Sequence, residues 1–188
     1  MGNDQTTYLL ADGENIDATL GMSVLNRRPH PDERPRWDRI LDFADHRFGR
    51  DVRALFFLNA TSGQLPISFV QALIAMEYRP VPLAGSGIEK VVDVGIQRTL
   101  EALVDRGPSH VLLASHDGDF IPQVEALLDN GSRVGVLCFR EFLNAKLAAL
   151  DEKGLEIFDL ETDVKAFQVA LPRVKIIPLS EFRPEEFL

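Results

Sequence analysis

The chain has 188 residues and a mass of 21.0 kDa, and its 45% hydrophobic and 26% charged residues are the mixture of an ordinary globular domain, which excludes a disordered or fibrous chain. A single cysteine, Cys138, excludes both a disulfide framework and a cysteine zinc cage. The formal net charge of -9 opposes a nucleic-acid binder held by a basic surface, yet residues 151–188 carry nine acidic against five basic side chains, and a carboxylate cluster built for a divalent cation reads as negative until the ion arrives.

Taken in chain order, Met1 to Thr7 is polar with no basic leader, and no apolar run approaches the roughly 18 residues of a membrane span, so a cytoplasmic, membrane-free protein is expected. Apolar runs of strand length follow at Tyr8 to Ala11, Val52 to Leu58, Arg79 to Leu83, His110 to Ala114 and Arg133 to Phe139. Cys138, inside the last of these, is expected to be a packed strand residue. Between the first two runs, Asn26 to Arg36 sets Arg27, Arg28, His30, Arg34 and Arg36 among three prolines and two acids. Proline denies it regular hydrogen bonding, so it is expected to be a loop whose arginines, Arg27 and Arg28 included, can engage backbone phosphates.

The intervening stretches have helical spacing. Trp37, Ile40, Leu41, Ala44 and Phe48 share one face; so do Phe69, Ala72, Leu73 and Met76, with Pro66 suited to the first turn. Val92, Ile96, Leu100 and Leu103 repeat the pattern, and Phe120 to Leu128 begins a further helix that stops at Asn130-Gly131. Strands alternating with crossover helices predict an α/β fold of three layers around a mostly parallel sheet of about five strands. Leu155 to Leu160 offers a sixth, edge strand, and the two prolines in Val169 to Leu179 keep that segment out of a central strand. Residues 1–160 are read as the domain and 161–188 as an appendage, available for self-association or a protein partner.

In an open α/β sheet ligands bind beyond the carboxyl ends of the strands. Strand one runs into Asp12-Gly13-Glu14-Asn15, and strand four runs into Ser115-His116-Asp117-Gly118-Asp119. If those strands are neighbours, Asp12 and Asp117 lie about 5 Å apart, a separation that like charges tolerate only with a cation or a shared proton. Asp93, among Val91, Val92, Val94 and Ile96, is a third carboxylate that needs compensation. Hard oxygen donors favour Mg2+ or Mn2+, which activate water and offset charge on a phosphoryl group. Plainer roles compete: Asp12 and Asp117 as helix caps, Asp119 as the cap before Phe120-Ile121-Pro122, Asp93 as a charge on a helix N-terminus, and His116 as a solvent-facing loop residue, a metal ligand or a general acid.

The strings Asp12-Gly13-Glu14-Asn15, Lys90-Val91-Val92-Asp93 and Ser115-His116-Asp117-Gly118-Asp119-Phe120, in this order, resemble the NYN domain family, a branch of the PIN-like nucleases with a Rossmann-like sheet. Over residues 7 to 160 the resemblance implies a metal-dependent ribonuclease. Its acidic centre would be Asp12, Asp93, Asp117 and Asp119, assisted by Asn15, with Ser115 holding the loop and Lys90 contacting phosphate or orienting Asp93. Val91 stands where the family usually has glycine, and His116 and Gly118 stand where it has glycine and serine. Two alternatives remain: an RNA-binding or regulatory module that keeps the acidic pocket without turnover, and a haloacid-dehalogenase-like phosphatase with Asp12 as nucleophile. The latter family expects a second aspartate where this chain has Glu14.

Overall fold

The computed structural model describes residues 6–49, 51–174 and 176–188, so the first five residues of the polar Met1 to Thr7 start lie outside the described residues. Six strands form one parallel sheet: β1 (Thr7–Ala11), β2 (Val52–Asn59), β3 (Tyr78–Leu83), β4 (His110–Ala114), β5 (Arg133–Cys138) and β6 (Glu156–Asp159), in the order β3-β2-β1-β4-β5-β6. The expectation of about five strands falls one short, because the short segment at Leu155 to Leu160 does add itself, as β6, at the edge beside β5. Among the described residues of Val169 to Leu179 there is no strand, and Lys175 lies outside them.

The helices are α1 (Gly13–Thr19), continued by a π-helical turn over Leu20–Val24, α2 (Trp37–Phe48), α3 (Ile67–Ala75), α4 (Val91–Arg106), α5 (Ile121–Asp129) and the short α6 (Ala145–Ala148). Alternation along the strands divides the apolar residues into two cores. Leu9 and Ala11 point to one face, where Ile16 of α1, Ile40 and Ala44 of α2 and Leu73 of α3 meet Phe56, Leu112 and Phe158. Leu10 points to the other, where Ile96, Leu100 and Leu103 of α4 and Val124 and Leu127 of α5 meet Val111, Leu113 and Val136. Both faces of the sheet are therefore covered, which is why its central strands read as unbroken apolar runs. Cys138 is fully buried in β5, and burial pushes its thiol up to about 12, so it is an inert packing residue.

The Asn26 to Arg36 segment is a loop interrupted by one 3₁₀ turn over Pro31–Glu33. Beyond residue 160 the chain stays on the first core: Val164, Ala166 and Leu171 are buried there, and the Ala166 carbonyl accepts the Arg36 N–H at 2.7 Å. No helix among the described residues is long and apolar enough to cross a membrane.

Candidate metal centre

The direction of winding reverses at β1. The chain passes outward from β1 to β2 and β3, then returns to place β4 on the other side of β1. This leaves a crevice beyond the carboxyl ends of β1 and β4, the usual position of a ligand site in such a sheet. The register is level, with Ala11 opposite Ala114, so Asp12 and Ser115 step off the sheet side by side. The Asp12 N–H donates to the Ala114 carbonyl at 3.1 Å, and the Ser115 hydroxyl donates to Asp12 Oδ2 at 3.0 Å. Ser115 Oγ in turn accepts the Asp117 N–H at 3.2 Å. One serine thus ties the first acidic turn to the second.

Asp93, in the first turn of α4, approaches the same place from a third segment. Asp93, Asp117 and Asp119 each offer a carboxylate oxygen, and these three atoms lie within 4.8 Å of one another. Asp12 is the buried member, 2% exposed; its Oδ1 accepts the Asn15 N–H at 3.3 Å. Burial, reinforced by the charges of Asp93 and Asp117, raises the Asp12 carboxyl to about 6. Asp93 is raised as well, by desolvation and then by Asp117. Lys90 reaches this group from the residue before α4, with Nζ 3.6 Å from Asp93 and 3.3 Å from Asp119. One exposed ammonium against four carboxylates leaves the site under-neutralised, and the donors are all hard oxygens. Both features fit a divalent cation.

The plainer roles turn out to coexist with this arrangement. Asp12 caps α1, and Asp117 caps the 3₁₀ turn Gly118–Phe120 by accepting the Asp119 N–H at 2.9 Å. Asp119 itself caps nothing: Phe120 precedes α5, which leaves the Asp119 carboxylate to Lys90 and the cluster.

His116 departs from each role expected for it. It is 6% exposed and both ring nitrogens are engaged. Nε2 accepts the Phe139 N–H at 2.8 Å, so the proton sits on Nδ1, which donates to Asn15 Oδ1 at 2.9 Å; the His116 N–H donates to the same oxygen at 2.8 Å. Its ring stacks on Phe139 with 5.8 Å between centroids. Burial drives the imidazole down to about 4, so it is neutral at physiological pH and holds the Asn15 amide rather than a metal or a proton. With Oδ1 of Asn15 doubly occupied, its NH2 is the end of the amide that can still donate.

Sequence reasoning missed two residues at the site. Gln97, one turn beyond Asp93, donates from Nε2 to the Asp119 carbonyl at 3.0 Å and fixes the loop against α4; its i+4 spacing from Asp93 is the clue in the sequence. Asn144 crowds Gly118 so closely that a Cβ there would sit 2.6 Å from Asn144 Nδ2, which accounts for glycine at that position. Among the described residues, Arg27 and Arg28 form no ion pair with these four acids. Arg27 grips Glu33 through two hydrogen bonds of 2.8 and 2.7 Å and holds that carboxyl down to about 2, while exposed Arg28 lines a separate groove with Gly21 and Met22.

The NYN domain model matches residues 6–153. The chain belongs to the NYN domain family. That membership gives it a nuclease-like fold and leaves no ground for the haloacid-dehalogenase-like alternative. No curated protein matches the chain. Among solved structures, it is similar to a protein of unknown function from Vibrio parahaemolyticus RIMD 2210633, with 17% sequence identity, a TM-score of 0.65, and coverage of 87% of this chain and 97% of that one. At that identity the likeness concerns the fold.

Proposed function

We propose that this NYN domain is a ribonuclease that hydrolyses RNA phosphodiester bonds with Mg2+ or Mn2+ held by Asp93, Asp117 and Asp119, Asp12 acting with them. The observation that carries this reading is the convergence of three carboxylate oxygens, from two segments distant in sequence, within 4.8 Å. When bound, the cation supplies the Lewis acidity that lowers the pKa of water and offsets charge on the phosphoryl oxygens. The chain's own groups do the rest. Asp12, at about 6, is ionised for the most part above neutral pH and adds a buried negative charge that strengthens cation binding. Lys90 stands at the outer lip, where its ammonium exchanges carboxylate oxygens for a phosphate oxygen as the site fills. The Asn15 NH2, aimed by His116, donates to the substrate or to an ordered water.

Cleavage of a labelled oligoribonucleotide tests the proposal. Turnover with Mn2+ or Mg2+, abolished by chelator and reduced at least a hundredfold in Asp117→Asn and Asp93→Asn, is the expected result. Unchanged rates in both variants, with folding intact, would overturn it. One observation favours a second reading: Lys90 already ion-pairs with two of the acids, so the centre has a cation of its own without any metal. On that reading the domain binds RNA without cleaving it, and tight RNA binding with no turnover under either ion would select it.

A further inference from the structure

We propose that Phe167, in the segment beyond residue 160, is a positioning residue for Asn15: its ring fixes the ring of Phe139, against which the His116 imidazole stacks, and the imidazole holds the Asn15 amide at the acidic centre. The consequence for rate rests on the ribonuclease reading; the placement of the amide does not. His116 is bonded at both ring nitrogens, to Asn15 Oδ1 and to the Phe139 N–H. Two bonds in the ring plane define an axis and leave the ring free to rock about it, which takes the Nδ1–H out of line with Asn15 Oδ1. A flat neighbour stops the rocking. Phe139 supplies it, fully buried and inclined by only 7° to the imidazole.

Phe139 is fixed in turn from beyond residue 160. Phe167 stacks on it with 5.6 Å between centroids and 22° between planes, and the Arg173 guanidinium, paired with Glu141 and Glu161, stands 5.8 Å from the same centroid. Phe167 lies in a stretch without helix or strand, so its place depends on what bonds the backbone around it. Arg39 of α2 donates from Nη1 to the Phe167 carbonyl at 2.7 Å and to the Lys165 carbonyl at 3.2 Å, and the Arg36 N–H donates to the Ala166 carbonyl at 2.7 Å. Three consecutive carbonyls are thereby tied to the start of α2. Lys165 takes a left-handed φ of 54°, a conformation that non-glycine residues seldom adopt and that the same bonds sustain. The segment therefore puts one half-buried ring in one place. Without that ring Asn15 Oδ1 still accepts the His116 N–H, so the loss is that of one weakened hydrogen bond, about three- to tenfold in rate.

Phe167→Leu keeps the position apolar but removes the flat ring, whereas Phe167→Tyr keeps the ring. With the full chain, chelator present and no RNA, the Asn15 side-chain NH2 signals in a proton–nitrogen correlation spectrum should shift and broaden in Phe167→Leu and stay at the parent's positions in Phe167→Tyr. In cleavage of the labelled oligoribonucleotide with Mn2+, Phe167→Leu should lower kcat about three- to tenfold and Phe167→Tyr should not. In an Asn15→Ala background Phe167→Leu should have no further effect on kcat, because the two residues act through one bond. Leu171→Ala, a core substitution in the same segment that leaves the rings in place, should lower the denaturation midpoint without moving kcat or the Asn15 signals. Unmoved Asn15 signals in Phe167→Leu, additive losses in the double variant, or an equal loss of kcat in Leu171→Ala would overturn the positioning role. RNA turnover with unmoved Asn15 signals removes the positioning but leaves hydrolysis; Asn15 signals that move as expected, without turnover under Mg2+ or Mn2+, remove hydrolysis but leave the positioning.

Discussion

Burial raises the Asp12 carboxyl to about 6, whereas an unconstrained aspartate titrates near 3.8. The protonated form therefore stabilises the fold below pH 3.8, and that contribution is lost as pH rises through 6, a penalty of about 3 kcal/mol at neutral pH if nothing compensates it. Asp12→Asn keeps one oxygen, for the Asn15 N–H, and turns its NH2 toward the Ser115 hydroxyl oxygen, while removing the charge. Its urea midpoint should rise above that of the parent protein at pH 8 and coincide with it at pH 4, even as turnover falls. Saturating Mn2+ should close the gap at pH 8, because the ion neutralises the same charge in the parent protein. His116 works in the opposite sense. Its folded value of about 4 lies below the unfolded 6.5, so the stability it lends is complete above 6.5 and is lost as pH falls toward 4. The two residues oppose each other between pH 6 and 4, and Asp12→Asn should expose a steeper acid loss in that window. His116→Phe fills the space but orphans the buried Phe139 N–H and releases Asn15. A loss of about 2 kcal/mol in denaturant unfolding is expected, with turnover falling further than stability alone explains.

At the scale of elements, α1 and the acidic turn are held by a close approach. A Cβ on Gly13 would stand 2.3 Å from Cζ of Phe56, and that ring is packed edge-on against Trp37, Phe69 and Tyr78. Gly13→Ala should displace either the ring or the turn that carries Asp12. Overpacking of this kind costs about 1–3 kcal/mol, read as a lowered denaturation midpoint, with weaker Mn2+ affinity by calorimetry. Much at this scale was legible in the sequence. The strands showed themselves because both faces of the sheet are covered and their residues are nearly all apolar; α4 and α5 showed themselves through stripes that face the core. Helix α1 did not, since seven residues with Ile16 as their one buried side chain carry no periodicity. The acidic residues were legible as a motif, but their sharing of one spot is a property of the β1–β4 register. His116 was opaque for a related reason: its partners Asn15 and Phe139 are 101 and 23 residues away, and nothing local marks a loop histidine as buried.

For the molecule as a whole, the topology explains why the acids meet: the winding reverses at β1, and the crevice so formed gathers Asp12, the Ser115 loop and the first turn of α4. The segment beyond residue 160 divides in two. Val164, Ala166 and Leu171 are buried in the first core, and Arg173 is paired with Glu141 and Glu161, whereas Val174, Ile176 and Leu179 are almost fully exposed. Truncation after residue 173 should leave the thermal midpoint within a few degrees of the full chain. Truncation after 160 removes three core side chains worth several kcal/mol together and should yield a chain that unfolds well below it, measured by circular dichroism. The measurement that reaches the heart of the matter is an anomalous difference map from a crystal soaked in Mn2+. A peak bonded to oxygens of Asp93, Asp117 and Asp119 at about 2.2 Å, with Lys90 swung aside, is the expected result. An empty map at saturating Mn2+, with Lys90 still seated between Asp93 and Asp119, would contradict a metal-dependent centre.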